Sequence, residues 1–259
     1  MNYKLIFLDV DGTLYSHTTK SIPESTIKAL KLAKEKGIKI AIASGRSKIV
    51  TAFTGILDIL DFDYFVVTNG NLVIDNNDNV IYSNPMNKEG IDKVLSIVDK
   101  YELNATFMTL NDFYIYRDID ERAHLGFDPL SIPLPNKKEY RKEDVYQINL
   151  FCEDEFMPYF EETKKYLQYS RLAHYGYDIY TLNHSKATGI SKLCEYLNIS
   201  KDECIAFGDG HNDAEMVKYV GLGIAMGNAL EKVKVASDYV TDDIDHDGIY
   251  NALKHFNVI

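Results

Sequence analysis

Basic residues are in short supply. The chain carries 28 Lys and Arg against 39 Asp and Glu, a formal net charge of -11. A surface that acidic argues against a nucleic-acid partner, because a phosphate backbone is held by a basic patch. It leaves room for a small anionic ligand, which needs only local cations. Cysteine is scarce as well: Cys152, Cys194 and Cys204 are all there is. They show no C-x-x-C pairing, so neither a zinc site nor a disulfide framework is expected, and buried thiols in a reducing cytoplasm fit instead. Long apolar runs are missing too. None approaches the roughly 20 residues that span a bilayer, so no membrane partner is expected. Met1-Asn2-Tyr3-Lys4 leads directly into a strand-like run, so no signal peptide is expected either.

What is present suits a globular chain of one large domain or two modest ones: 259 residues, 46% hydrophobic and 26% charged. The organising stretch is Leu5-Ile6-Phe7-Leu8, which runs straight into Asp9-Val10-Asp11-Gly12-Thr13. A short unbroken apolar run bounded by glycine reads as a fully buried strand, central in a parallel sheet. Its end carries two carboxylates one residue apart, which is costly unless a cation binds them. Ligand sites in open α/β sheets lie beyond the carboxyl ends of the strands. Alone, the motif would also fit an ordinary acidic turn.

The pattern along the chain is alternating at both ends. Residues 23–36 have helical spacing, residues 38–43 read as a strand, 47–60 as a helix and 64–68 as a strand, giving β-α-β-α-β with right-handed crossovers. Residues 72–74 and 80–82 flank a hairpin turn. From about residue 84 the pattern changes to a helix over 87–101, strands over 105–109 and 113–117, an irregular stretch over 118–144 with room for a short helix, a strand over 145–151, a helix over 153–167 and a strand pair over 171–174 and 177–182. Alternation resumes with a helix over 189–197, a strand over 204–207, a helix over 214–219, a strand over 222–226, a helix over 229–236, a short strand at 239–240 and a last helix over 249–256. The expected architecture is α/β. A Rossmann-like parallel-sheet core, residues 1–83 plus 184–259, is interrupted by an α+β insert at 84–183.

Polar features sit where core strands end: Asp9 and Asp11, Ser44 with Gly45, Asn69, and Asp209 with Asn212 and Asp213. Lys186 lies on the return from the insert. Taken singly, Ser44 reads as a helix cap and Lys186 as a solvated lysine. Their joint order is harder to assign to coincidence. Gly221-x-Gly223-x-x-x-Gly227 has the wrong spacing for a dinucleotide fingerprint, and the run Asp243 to Gly248 has Lys254 where a calcium loop needs its glutamate.

That order resembles the haloacid dehalogenase-like hydrolase superfamily. It rests on Asp-x-Asp-Gly-Thr at 9–13, Ser44, Lys186 and Gly-Asp-x-x-Asn-Asp at 208–213. Ala43-Ser44-Gly45-Arg46, Asn69-Gly70 and Gly223-Ile224-Ala225-Met226-Gly227-Asn228 make it similar to the Cof-type phosphatases, and the insert matches the position and size of their α+β (type IIB) cap. The resemblance implies a Mg²⁺-dependent phosphatase of small phosphorylated metabolites: sugar phosphates, nucleotides, pyridoxal phosphate or flavin mononucleotide. Asp9 would be the nucleophile, forming an aspartyl-phosphate, and Asp11 the general acid and base. Lys186 would neutralise charge. Gly12, Thr13, Ser44, Gly45, Asn69 and Asn212, with Lys186, would contact the phosphate. Asp9, the Asp11 backbone carbonyl and Asp209 would hold the metal, with Asp213 either a direct ligand or a support one step behind them. Lys186-Ala187-Thr188-Gly189 departs from the Lys-Gly often found there, which implies a local loop change. A phosphotransferase or phosphomutase is the rival within the same chemistry, and a silent ligand-binding regulator the rival outside it. Asp9, Asp11, Lys186, Asp209 and Asp213 are all in place, which disfavours the silent reading. The oligomeric state is left between monomer and homodimer.

Overall fold

A computed structural model describes residues 3–128, 132–172 and 175–259. The chain divides into two compact units, Met1–Ser83 with Ser185–Ile259, and Asn84–His184. The return boundary therefore falls one residue later than the sequence pattern placed it, with His184 in the second unit.

The first unit begins with β1 (Leu5–Leu8), all four residues buried. It continues through α1 (Glu24–Glu35), β2 (Lys39–Ala43), α2 (Lys48–Ala52), α3 (Ile56–Ile59), β3 (Tyr64–Val67), β4 (Leu72–Asp75) and β5 (Val80–Ser83). The second unit holds α4 (Lys88–Lys100), β6 (Asn104–Met108), β7 (Phe113–Ile115), α5 (Glu121–Phe127), β8 (Gln147–Phe151), β9 (Leu167–Arg171) and β10 (Tyr177–Thr181). The first unit resumes with α6 (Lys186–Leu197), β11 (Cys204–Gly208), α7 (Ala214–Tyr219), β12 (Leu222–Ala225), α8 (Glu231–Ala236), β13 (Tyr239–Val240) and α9 (Gly248–His255).

The eight-stranded sheet of the first unit runs β13-β12-β11-β1-β2-β3-β4-β5. All pairs from β13 to β3 are parallel, and the β3-β4 and β4-β5 pairs close its edge antiparallel. β1 lies between β2 and β11, with Leu5 opposite both Lys39 and Cys204. A strand flanked on both edges and covered on both faces must be apolar throughout, which is what Leu5-Ile6-Phe7-Leu8 supplies. The polar groups begin where the pairing ends: the Asp9 amide donates the last bond, to the Phe207 carbonyl at 3.1 Å. The second unit is a separate antiparallel sheet, β7-β6-β8-β10-β9. One face of it packs Ala105, Phe107, Ile148, Leu150 and Ile179 against α4 residues Ile91, Val94 and Val98.

Three expectations need correction. The helix over 47–60 is two short helices, because Gly55 adopts φ +74° between them and breaks the register. The helix over 153–167 is a 3₁₀ run, Asp154–Lys165, with Pro158 inside it and its buried residues Phe160 and Thr163 three apart. Proline removes an i to i-4 hydrogen bond, and a three-residue spacing of buried side chains suits the tighter helix. The strand expected over 171–174 lies earlier, at Leu167–Arg171, where Arg171 pairs with Tyr177; Ala173 and His174 lie outside the described residues. Among the described residues, no helix is long and apolar enough to cross a membrane.

Candidate active site

The site is assembled at the carboxyl ends of β1 and β11 and the amino end of α6. Asp9 follows β1, Asp209 follows β11, and Lys186 is the first residue of α6. The Lys186 ammonium donates to Asp9 Oδ1 at 2.5 Å and to Asp213 Oδ1 at 2.6 Å. Lys186 and Asp213 are both 0% exposed and Asp9 is 6% exposed. Such a lysine is tolerated because two carboxylates replace its water. Burial disfavours its charge, but Asp213 and Asp9 outweigh that and hold the ammonium protonated.

Asp213 has both oxygens engaged. While Oδ1 accepts from Lys186, Oδ2 accepts the backbone amides of Asp209 at 3.0 Å and Gly210 at 2.9 Å. It thereby fixes the turn that presents Asp209. Thr13, fully buried, donates its hydroxyl to Asp209 Oδ1 at 2.7 Å. Asp9, Asp209 and Asp213 can each bring a carboxylate oxygen within 4.8 Å of the others. Among the described residues Lys186 is the one cation bonded within the cluster, so negative charge is in excess there. Burial first, and the Asp213 charge next, push the Asp9 carboxyl up and the Asp209 carboxyl to about 7.

Asp11 faces a different set of partners. Arg46 grips it at two points, Nε to Oδ2 at 2.6 Å and Nη2 to Oδ1 at 2.7 Å, and His17 Nε2 lies 2.9 Å from Oδ1. Burial raises this carboxyl, but the bonds from His17 and Arg46 prevail and hold it well below the usual carboxylate range. Neither Arg46 nor His17 figured among the site residues expected from the sequence. Arg46 had a signal, since a cation directly after Ser44-Gly45 at a strand end is a ready counter-charge for Asp11. His17, eight residues after Asp9 in an irregular loop, had none.

The remaining expected residues fall in the same unit. Gly12 has φ +81°, and a Cβ there would sit 2.4 Å from Asp209 Oδ2. Its carbonyl accepts from Asn228 Nδ2 at 2.8 Å. Ser44 Oγ accepts the Arg46 amide at 3.1 Å. Asn212 Nδ2 donates to Asn69 Oδ1 at 2.8 Å, and a Cβ on Gly45 would lie 3.3 Å from the Asn69 amide group. The local loop change expected at Lys186-Ala187-Thr188-Gly189 is not what the structure has: these residues form the first turn of α6. α6 starts at Lys186, three residues before the expected start, and Gly189 lies where a Cβ would be 2.8 Å from Gly70 Cα and 2.6 Å from Val66 Cγ1. The glycine is needed one turn into the helix, where α6 crosses the end of β3.

The family description that matches, over residues 6–253, is haloacid dehalogenase-like hydrolase. The chain belongs to that family. YkrA of Bacillus subtilis (strain 168), which is named as a phosphatase, is 35% identical over 100% of both chains. The 5-amino-6-(5-phospho-D-ribitylamino)uracil phosphatase YcsE of the same organism is 27% identical over 99% of this chain and 96% of its own. A solved structure of a subclass IIB sugar phosphatase of the superfamily superposes with a TM-score of 0.86, at 30% identity, over 99% of this chain and 100% of that one. The chain is accordingly a phosphoric monoester hydrolase, with the Cof-type architecture expected of it.

Proposed function

We propose that this enzyme is a Mg²⁺-dependent phosphatase of small phosphorylated metabolites that works through an aspartyl-phosphate on Asp9. The observation that supports this most is the buried Lys186 ammonium, bonded to Asp9 at 2.5 Å and Asp213 at 2.6 Å, with Asp209 alongside. The carboxylate-rich cluster suits a hard divalent cation, which takes oxygen donors. Asp9, Asp209 and the Asp11 backbone carbonyl would hold it. Asp213, its oxygens already committed, would act by fixing Lys186 and the turn bearing Asp209. When bound, Mg²⁺ supplies positive charge against the phosphoryl oxygens and the Asp9 carboxylate.

In the proposed reaction the free Asp9 oxygen attacks phosphorus and the ester P–O bond breaks. Asp11 protonates the departing alkoxide and then takes a proton from the water that hydrolyses the acyl phosphate. Lys186 offsets charge between Asp9 and the phosphoryl group. Ser44, Asn212 and the backbone at Gly12 and Thr13 would position the phosphoryl oxygens, with Gly45 and Asn69 shaping that wall. Held by Arg46, Asp11 is in the acceptor form that activates water. To serve as acid it must take up a proton and leave the two-point grip.

The inserted unit Asn84–His184 is proposed as the substrate-selecting cap, and sugar phosphates and phosphorylated ribityl compounds, named for the relatives above, head the candidates. Nucleotides, pyridoxal phosphate and flavin mononucleotide complete the panel. The test is phosphate release across it, with Mg²⁺ or EDTA, for wild type and Asp9→Asn. Release that needs Mg²⁺ and vanishes in the variant is expected; equal inertness of both proteins on every compound would sink the proposal. A sugar acceptor added to the active reactions separates hydrolysis from phosphoryl transfer.

A further inference from the structure

Two of the three thiols take no part in the site chemistry and lie side by side. Cys194, in the third turn of α6, has its Sγ 3.6 Å from Sγ of Cys204, the first residue of β11. Ten residues separate them in sequence. Between them the chain makes a turn held by Ser200 and Glu203, whose side chains cap each other's backbone. All three cysteines are free, and Cys152 lies apart in the apolar core of the second unit.

We propose that Cys194 and Cys204 are an oxidisable dithiol pair, converted by a peroxide to an intramolecular disulfide that ties α6 to β11. A disulfide needs its sulfurs about 2 Å apart, so the pair must close by roughly 1.6 Å from its present contact. Rotation about the Cys194 side-chain bond and a small shift of the turn over residues 195–203 would provide that. Access is through Cys194, which borders a surface hollow of about 410 Å³ lined also by Ser191, Asn198, Ile199, Lys201 and Tyr219. Cys204 is fully buried behind it.

The order of events follows from access. Cys194 borders the hollow, whereas Cys204 is fully buried behind it and donates its S–H to the Ser200 carbonyl at 3.5 Å. Cys194 is therefore the attacking sulfur. Its thiolate takes one oxygen from the peroxide, the O–O bond breaks, and a sulfenic acid and hydroxide result. Cys204 then attacks that sulfur: the S–S bond forms, the S–O bond breaks, and the oxygen leaves as water carrying the Cys204 proton. The two thiols are oxidised by two electrons and the peroxide is reduced to water.

The tie joins the helix that starts with Lys186 to the strand that ends beside Asp209, so oxidation should stiffen the frame of the site. In the chain-entropy view it should raise the melting temperature by about 5 °C.

The test treats the folded full-length protein with hydrogen peroxide, then counts thiols, measures intact mass and maps peptides. The expected result is loss of two of the three thiols, a mass lower by two hydrogens, and a linked Cys194–Cys204 peptide restored by dithiothreitol. In Cys204→Ser, dimedone should trap the Cys194 sulfenic acid, whereas the wild type should give little adduct. Three thiols surviving, a disulfide between chains, or oxygen added at Cys194 of the wild type without the link would each overturn the proposal. The wild-type measurements decide the matter even if the serine variant fails to fold.

Discussion

Replacing Lys186 by methionine keeps the length and most of the apolar stem of the side chain and deletes its charge. In the folded protein Asp9 and Asp213 then lose a partner at 2.5 and 2.6 Å, in a place with 0% exposure at Lys186 and Asp213. Asp209, within 4.8 Å of both, adds a third carboxylate and no compensation. Removing one member of a buried pair costs about 3–5 kcal/mol, because the charge left behind has neither water nor partner. For a unit of this size each kcal/mol moves the melting temperature by about 2–4 °C, so a drop of about 10 °C is expected in EDTA. The proposed metal site supplies a second reading. A divalent cation restores positive charge to the same cluster, so Mg²⁺ should raise the melting temperature of Lys186→Met more than that of the wild type. Turnover should fall by about 10³-fold and stay low with added Mg²⁺, since a bound metal does not replace the ammonium beside Asp9. Calorimetry with and without Mg²⁺ and initial-rate assays measure all three quantities. Melting of the variant within about 2 °C of wild type in EDTA, less than one kcal/mol in stability, would refute the reasoning that Lys186 neutralises a buried excess of charge.

Other perturbations probe the surrounding parts. Gly12→Ala places a Cβ 2.4 Å from Asp209 Oδ2 at φ +81°; it should cost about 2 kcal/mol by calorimetry and weaken Mg²⁺ activation, and an unchanged Mg²⁺ titration would count against the tight fit of that turn. Arg46→Lys keeps a cation but loses the two-point grip on Asp11, so turnover should drop by about 10-fold with KM little changed, and a pure KM effect would argue for substrate binding instead. Cys152 is pushed up to about 12 by burial first and by Glu153 next, so iodoacetamide at neutral pH should leave it untouched in the folded protein and label it once guanidinium is added; native-state labelling would show the core of the second unit open.

Much of this arrangement is readable from the chain because the strands carry it. Leu5-Ile6-Phe7-Leu8 and Cys204-Ile205-Ala206-Phe207 are apolar without alternation, the pattern of strands covered on both faces, and their polar ends must meet once they pair in parallel. That places Asp9 and Asp209 together before any coordinate is known. Lys186 is less legible. Its neighbours Ala187-Thr188-Gly189 delay the apparent helix start to Gly189, because a glycine near a helix start looks like a break, whereas here it relieves a crossing at Gly70. The 3₁₀ run Asp154–Lys165 is hidden for a related reason: its acidic start and basic end are those of an α-helix, and only the three-residue spacing of Phe160 and Thr163 together with Pro158 marks the difference. The partners of Asp11 are illegible in a stronger sense. The two-point contact with Arg46 depends on side-chain direction after a turn, which hydrophobic periodicity does not report.

The two carboxylates of one short turn thus sit in opposite electrostatic settings. Around Asp9 the protein sets three carboxylates against one ammonium. Around Asp11 it sets one carboxylate against a guanidinium and an imidazole. A reaction that needs an ionised nucleophile and a protonated acid calls for the reverse order, since the nucleophile must stay charged and the acid must hold a proton. The protein's own charges do not supply that order. On the Asp9 side the missing charge is positive, which is the physical reason the proposed function includes a metal even with Lys186 in place. On the Asp11 side the carboxylate is already matched by the Arg46 guanidinium, and that hold ends only when the carboxyl parts from Arg46. Until it does so, the Asp11 carboxylate is an acceptor only and cannot donate a proton.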